Sequence, residues 1–354
     1  MLICDVEFQL IKINPASGGI PERLVLVRVQ TDEGMDGWGE ARLPWRLGEL
    51  RERRDMILPL VAGKNVLDLA ELSRLEQLSP KLRAALEMAC RDAAGKILGQ
   101  PLCYFLGGTY RTRIPTAHYV GDTDDPDLLD RGQRWLDKGI ANWVVGTCGN
   151  LEDDLFALRR IRERLGTGVR IRFDARSHFS YDEALRFCPG IQALGLDMVI
   201  DFLKTKSLDS YQRLAWEMDC PLAIRLHDPE ELWGTVKSQS VHHLILDMTE
   251  FGGVLSVRDA IAVATAAGIG VSLTVSTSLG LTVASMLHVG AATPSLVSAH
   301  EIVCEETLHL AIQSGLKMKD GLWEVPNAPG LGIEVSREIL EQETWSHDLW
   351  DFPE

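Results

Sequence analysis

No apolar run in the 354 residues reaches the roughly 18 that a membrane span needs, so no transmembrane helix is expected. Cys-x-x-Cys pairs are also absent. The seven cysteines (Cys4, Cys90, Cys103, Cys148, Cys188, Cys220 and Cys304) are scattered and odd in number. That pattern fits reduced thiols in a cytoplasmic protein better than a disulfide framework, with most of them serving as small buried hydrophobes. The start, Met1 to Glu7, has no basic stretch and is too acidic for a signal peptide. Positive charge is in deficit. Lys and Arg total 36 against 51 Asp and Glu, for a formal net charge of -15. This balance argues against nucleic acid or an anionic membrane as partner, and leaves room for a local positive pocket. No tandem repeat is visible.

What remains is an ordinary globular composition, 45% hydrophobic and 25% charged, which excludes wholesale disorder. At about 150 residues per domain, the length suits two domains or one large barrel with an addition. Residues 2–13 and 24–31 alternate or run apolar with β-branched side chains, as strands do. Asn14 to Gly19 reads as a loop, and Asp32 to Glu40 as a turn into a third strand, so the chain opens with an antiparallel meander. Residues 46–99 read as helical. Leu82, Leu86, Ala89, Ala93, Ile97 and Leu98 keep a 3.6-residue period, and Gly99 with Pro101 ends the helix.

From about residue 114 short strands and helices alternate. Strands are expected at 114–119, 143–146, 169–173, 198–201, 222–226, 243–246, 270–274 and 297–302. Helices are expected at 126–138, 151–165, 180–194, 207–218, 229–238, 255–267 and 279–292. Eight strands in strict alternation predict an α/β fold with a closed parallel (β/α) barrel of the TIM type. An open doubly wound sheet competes less well, because no Gly-rich phosphate loop follows residues 114–119. The expected domains are an N-terminal α+β domain (1–113), which the resemblance given next makes a capping domain, the barrel (114–318) and a Pro/Gly-rich C-terminal segment (319–354) that packs back on the first domain.

Four segments carry a family resemblance. Ala84-Ala85-Leu86-Glu87-Met88-Ala89-Cys90-Arg91-Asp92-Ala93-Ala94-Gly95-Lys96 through Leu106-Gly107-Gly108 resembles the last cap-domain helix of the enolase superfamily, in its mandelate racemase and muconate lactonizing enzyme branch. Val325-Pro326 with Pro329-Gly330-Leu331-Gly332 resembles the terminal motif of that branch, and Gly34 to Glu40 its early G-x-x-G-x-G-E turn. Gly252-Gly253, before a helix ending Ala266-Ala267-Gly268-Ile269, is similar to the approach to the seventh barrel strand. The resemblance covers nearly the whole chain in the right order. It implies a cap over a modified TIM barrel, with removal of a proton next to a carboxylate and a magnesium ion held by three strand-end carboxylates. It implies a cycloisomerase, racemase, epimerase or dehydratase type of reaction on a small carboxylic acid. A homo-oligomer is expected only on the general ground that symmetric assemblies are common among soluble enzymes.

The same resemblance places Asp174 and Asp201 at the first two metal positions, the second usually Glu. The third falls on Arg225 or Leu226, neither of which can bind a cation, with His227 and Asp228 just beyond, so the magnesium site lacks its third carboxylate. Its two strand lysines fall on Val144 and Gly146, and its histidine on Thr274. Asp247 is the acid–base candidate retained in kind, and a lone carboxylate needs burial to become a useful base. A guanidinium between Asp174 and Asp201 would satisfy both, so Arg225 is expected in the metal's place, acting on the substrate or purely as a charge partner. Lys204 and Lys206 are either substrate contacts or a solvated pair. Ser276-Thr277-Ser278 either donates to an anionic ligand or caps the helix from Leu279. Trp45 and Ser17 lie in cap loops that, by the resemblance, would select the substrate. His227, His242, His243 and His300 match no compact zinc spacing and read as core or surface histidines. A non-catalytic homologue that binds a metabolite is the competing reading, since one metal ligand and both kinds of base are replaced.

Overall fold

The computed structural model describes residues 1–13, 22–303, 310 and 313–335. The loop at 14–19 with Ser17, Cys304, and the part of the C-terminal segment beyond residue 335 lie outside the described residues.

Three alternating stretches form the meander β1 (Ile3–Ile13), β2 (Glu22–Thr31) and β3 (Asp36–Ala41), paired antiparallel in that order. Buried and solvent-facing residues alternate along β1, so one face is apolar. Helices α1 (Leu50–Val61), α2 (Leu69–Ser73) and α3 (Pro80–Leu98) follow. The continuous helical reading of 46–99 is therefore corrected to three helices. Gly63, at φ +77°, cannot extend α1, and Ser79-Pro80 starts a new helix, the Ser79 hydroxyl accepting from the Leu82 N–H. Helix α3 lies directly on β3, and Gly37 permits the approach, because a Cβ there would meet Ala93 N at 2.6 Å.

After α4 (Leu102–Phe105) the barrel begins. Its strands are β4 (Arg113–Asp122), β5 (Asn142–Gly146), β6 (Arg170–Asp174), β7 (Met198–Ile200), β8 (Leu222–Leu226), β9 (His243–Asp247), β10 (Gly270–Val275) and β11 (His300–Ile302). Each pairs parallel with the next, and β11 pairs parallel with β4, which closes the ring. The seven intervening helices are α5 (Leu128–Asp137), α6 (Leu151–Leu165), α7 (Tyr181–Gln192), α8 (Leu208–Glu217), α9 (Pro229–Ser238), α10 (Val254–Ala266) and α11 (Leu281–Ala292). All eight expected strands are present.

Inward side chains plug the barrel: Met198, Ile200, Ala223 and Ile245 form one cluster, and Ala117, Val144, Ala299 and Tyr119 another. The interior is packed, so ligands can enter only from the mouth.

Strand β12 (Met318–Lys319) and β13 (Leu322–Glu324) form a small hairpin, and β13 pairs antiparallel with the start of β4. Beyond it, Gly330 exchanges backbone hydrogen bonds with Gln100 and Leu102, and the Leu331 N–H donates to Asp92 Oδ1 on α3.

Cap and barrel are joined by buried carboxylates. Glu40, at the end of β3, accepts hydrogen bonds from the Leu279 and Thr282 N–H groups and the Ser278 hydroxyl. It thereby serves the exposed amides at the start of α11, a helix buried on every side. Glu87 on α3 accepts from the Leu255 N–H at the start of α10 and pairs with Arg91. Among the described residues no helix is long and apolar enough to cross a membrane.

Candidate functional site at the barrel mouth

A parallel strand delivers its inward side chains to the centre of the ring, and its last inward residue to the C-terminal mouth. On β6 these are Arg172 and then Asp174, on β8 Ala223 and then Arg225, and on β9 Ile245 and then Asp247. Asp201 follows β7 directly.

Arg225 is the hub. Its Nη1 is 3.0 Å from Asp174 Oδ1 and 3.1 Å from Asp201 Oδ2, and its Nη2 is 3.1 Å from Glu301 Oε2. Its backbone N–H also donates to Asp201 Oδ1 at 3.0 Å. Glu301 Oε1 is in turn 3.2 Å from Arg172 Nη1, and Arg172 Nε is 3.2 Å from Asp197 Oδ2. A continuous ladder of charge thus runs across the barrel from Asp197 to the mouth. Burial pushes the Arg225 guanidinium down, but the fields of Glu301, Asp174 and Asp201 outweigh it, and it ends well above its ordinary value. Asp201 is pushed up, chiefly by burial and also by Asp174, against the pull of Arg225.

Glu301 was not among the residues singled out from the sequence. It is fully buried and sits in a strand that was expected. The available signal was a carboxylate inside a short, otherwise buried strand, which has to find a cation.

A second cluster covers the neighbouring strand end. Arg176 Nη2 is 2.6 Å from Asp122 Oδ1, and its Nη1 donates to Asp122 Oδ2 at 3.1 Å. The Tyr119 hydroxyl donates to Asp122 Oδ1 at 2.5 Å and accepts from Arg176 Nη2 at 2.9 Å. Burial and the bond to Asp122 both push the Tyr119 phenol up, so it stays protonated. This cluster stands where a side chain on Gly146 would project: a Cβ there would lie 2.6 Å from Arg176 Nη2 and closer still to Asp122. Arg176 (φ 49°), Ser177 (φ 56°) and Asp201 (φ 47°) hold left-handed backbone at these two strand ends. Such non-glycine strain gathers at sites where the surrounding structure imposes it.

Asp247 lies one strand over from Arg225, two residues past the Arg225–Ile245 register pair. Its Oδ1 accepts from the Thr249 N–H, the Thr249 hydroxyl and the Glu250 N–H. Burial pushes the Asp247 carboxyl up, against those bonds. Thr274 on β10 is its register partner.

The other expected residues fall in different places. Lys204 is exposed on the loop after β7, and its N–H donates to the Phe179 carbonyl. Lys206 Nζ donates to the Arg225 carbonyl at 2.9 Å, which puts this lysine on the rim. Ser276 is half-buried after β10, but α11 starts at Leu281 and its amides are served by Glu40 rather than by a serine cap. Trp45 packs inside the cap core, edge-on to Phe8 at 5.1 Å. His227 is exposed, and Asp228 caps α9 through the Glu230 N–H, so neither is turned to the ladder. His243 bonds Ser272, and His300 accepts from the Leu273 N–H, as core histidines do.

Magnesium wants several free oxygen ligands in an octahedral shell. Here the two carboxylates that the resemblance would give it, Asp174 and Asp201, are both engaged by Arg225. The donor set fits a guanidinium and does not fit a divalent ion.

A small antiparallel domain with a long helix, set over a closed parallel barrel with charged strand ends, defines a capped TIM-type barrel. Residues 127–339 match the enolase C-terminal domain-like family, and residues 19–107 match the N-terminal domain of the mandelate racemase / muconate lactonizing enzyme family. The chain belongs to that branch of the enolase superfamily. It is 26% identical to the L-Lys-D/L-Arg epimerase of Methylococcus capsulatus, over 93% of this chain and 91% of the relative. It is 25% identical to the chloromuconate cycloisomerase of Cupriavidus pinatubonensis, over 96% of each chain. The solved muconate lactonizing enzyme from Pseudomonas putida has the same fold, with a TM-score of 0.83 at 20% identity, covering 98% of this chain and all of that one.

Proposed function

We propose that this chain isomerises a small carboxylic acid by moving a proton on the carbon next to its carboxylate, in the manner of a racemase, epimerase or cycloisomerase. The observation that carries the reading is Arg225, a half-buried guanidinium ringed by carboxylates at the mouth, one strand from the half-buried Asp247. In this reading the substrate carboxylate lies against Arg225. Asp247 takes the proton on Oδ2, the electron pair of the broken C–H bond moves into the carboxylate as an enediolate, and Arg225 stabilises its second negative charge. The isomer forms when the enediolate is reprotonated at the opposite face or at a conjugated carbon, by Asp247 or by water, which restores the carboxylate. The three contacts of Arg225 use three of the five N–H donors of a guanidinium, and the remaining donors serve the ligand. Lys206, Lys204 and Arg176 supply positive charge around the rim. The names of relatives, an N-succinyl-L-Arg/Lys racemase and an L-Ala-D/L-Glu epimerase among them, support N-acylated amino acids and dipeptides as first substrates to try.

A second reading, binding without turnover, is favoured by one specific feature. The strand that resembles a lysine-bearing strand carries Val144 and Gly146, and the space beside Gly146 is filled by Asp122 and Arg176.

One experiment separates the two. The chain is incubated in heavy water with N-succinyl amino acids, dipeptides and muconate, and α-proton exchange is followed by NMR. Exchange that is lost in Asp247→Asn supports the isomerase. Saturable binding without exchange, lost in Arg225→Met, supports the binder. Neither exchange nor binding across the panel overturns both readings.

A further inference from the structure

We infer that Arg225 is a built-in substitute for a divalent cation, so that the mouth works without metal and a single substitution converts it into a metal site. This goes beyond the proposed reaction and does not depend on it.

The argument is one of geometry and charge. Three carboxylates contributed by three different strands or their ends, Asp174, Asp201 and Glu301, converge on one guanidinium at 3.0–3.1 Å. Carboxylates brought that close repel one another strongly in a low-dielectric interior and can all stay ionised only around a cation. Arg225 supplies that cation covalently. Its position is enforced from both sides: its own N–H is bonded to Asp201, and its carbonyl is held by Lys206.

The surroundings are built for an arginine. Glu301 is shared between Arg225 and Arg172, one oxygen to each, and Arg172 is anchored on Asp197. The ladder therefore has four carboxylates and two guanidinia. A magnesium ion added beside Arg225 would have to displace a guanidinium bonded to both of its would-be ligands. Remove the guanidinium, and two or three converging carboxylates become available at a spacing set by the barrel.

The test uses Mn²⁺ as a paramagnetic probe, titrated into the full chain after chelator treatment and read by electron paramagnetic resonance. The wild type, Arg225→Glu, Arg225→Gln and Arg225→Glu/Asp174→Asn are compared, with circular dichroism as a check on folding. The wild type should leave Mn²⁺ free at submillimolar concentration, and its melting temperature should not change between chelator and excess magnesium. Arg225→Glu should bind one Mn²⁺ at least tenfold more tightly than wild type, and the added Asp174→Asn should remove the gain. Should Arg225→Glu not fold, Arg225→Gln decides, because it frees the carboxylates without adding a charge. Saturable one-site binding by the wild type that Asp174→Asn abolishes would overturn the inference, and so would folded glutamate and glutamine variants without gain. Failure of the proposed reaction would show separately, as no exchange on any carboxylic acid.

Discussion

Arg225 Nη1 stands 3.0 Å from Asp174 Oδ1, the same oxygen that receives the Arg176 N–H at 3.1 Å. One carboxylate oxygen thus ties two networks together, the buried ladder through Arg172 and the half-exposed cluster of Arg176, Asp122 and Tyr119. The left-handed backbone of Arg176 is what turns its N–H inward while its side chain reaches across to Asp122. Asp174 is therefore shared between a group buried in the barrel and a group that meets solvent.

Replacing Arg225 by methionine keeps much of the volume and removes the charge. Three carboxylates lose their common partner, which costs about 3–5 kcal/mol when a buried pair is broken. The sign of the pH effect follows from Asp201, whose pKa is already pushed up in the folded chain. A carboxyl raised in the folded state binds protons that the unfolded chain does not, so stability falls as pH rises through the window above its ordinary range. Loss of the cation raises it further. Urea denaturation should show a deficit for Arg225→Met that is larger at pH 8 than at pH 5. An equal deficit at both would show that the charge of Arg225 is not what matters.

Gly146 has no room for a side chain, because its Cβ would press on Arg176 Nη2 and Asp122. Gly146→Ala should destabilise by about 1–3 kcal/mol, the usual range for overpacking. Gly146→Lys should also displace Arg176 from Asp122. In Asp122→Ala/Arg176→Ala the same alanine at residue 146 should be nearly neutral, which a double-mutant cycle measures directly.

Much of this fold is legible in the residues. Strands such as 143–146 and 222–226 are short, apolar and evenly spaced, and periodicity sufficed to place them. The breaks between 46 and 99 were harder, since apolar residues continue past Gly63 and only backbone conformation reveals the stop. Asp174, Asp201 and Arg225 could be named because the family resemblance sets them at or beside its metal positions, which lie at strand ends. Glu301 and the cluster around Arg176 were not named, since a carboxylate in a buried strand calls for a cation without saying which. Their partners lie 76 and 54 residues away in the chain, and which distant strand ends face each other is a property of the closed ring.

Glu40 joins the cap to α11 by accepting from Leu279, Thr282 and Ser278. Glu40→Ala leaves those buried donors without their acceptor, at about 1–3 kcal/mol for each unsatisfied group, and should lower stability by at least about 2 kcal/mol. The defect lies between two units, so hydrogen exchange should rise first at the start of α11, including Leu279 and Thr282. Uniformly faster exchange across the barrel would show that Glu40 is not a local latch.

His243 offers the cleanest titration in the core. It is buried against Ser272 on β10, and burial first, then the field of Arg172, pushes its pKa down to about 3. An unfolded histidine titrates near 6.5. Between those values the unfolded chain binds a proton that the folded chain refuses. The stability that neutral His243 contributes is therefore complete above about pH 6.5 and lost progressively toward pH 3. Other buried groups titrate in the same range, so the informative quantity is a difference. Stability of wild type minus that of His243→Asn, from denaturant curves at matched pH, should fall steadily as pH drops from 7 to 4. A difference that stays flat would mean that His243 takes up its proton without leaving the fold, and that its place beside Arg172 is less closed than the geometry implies.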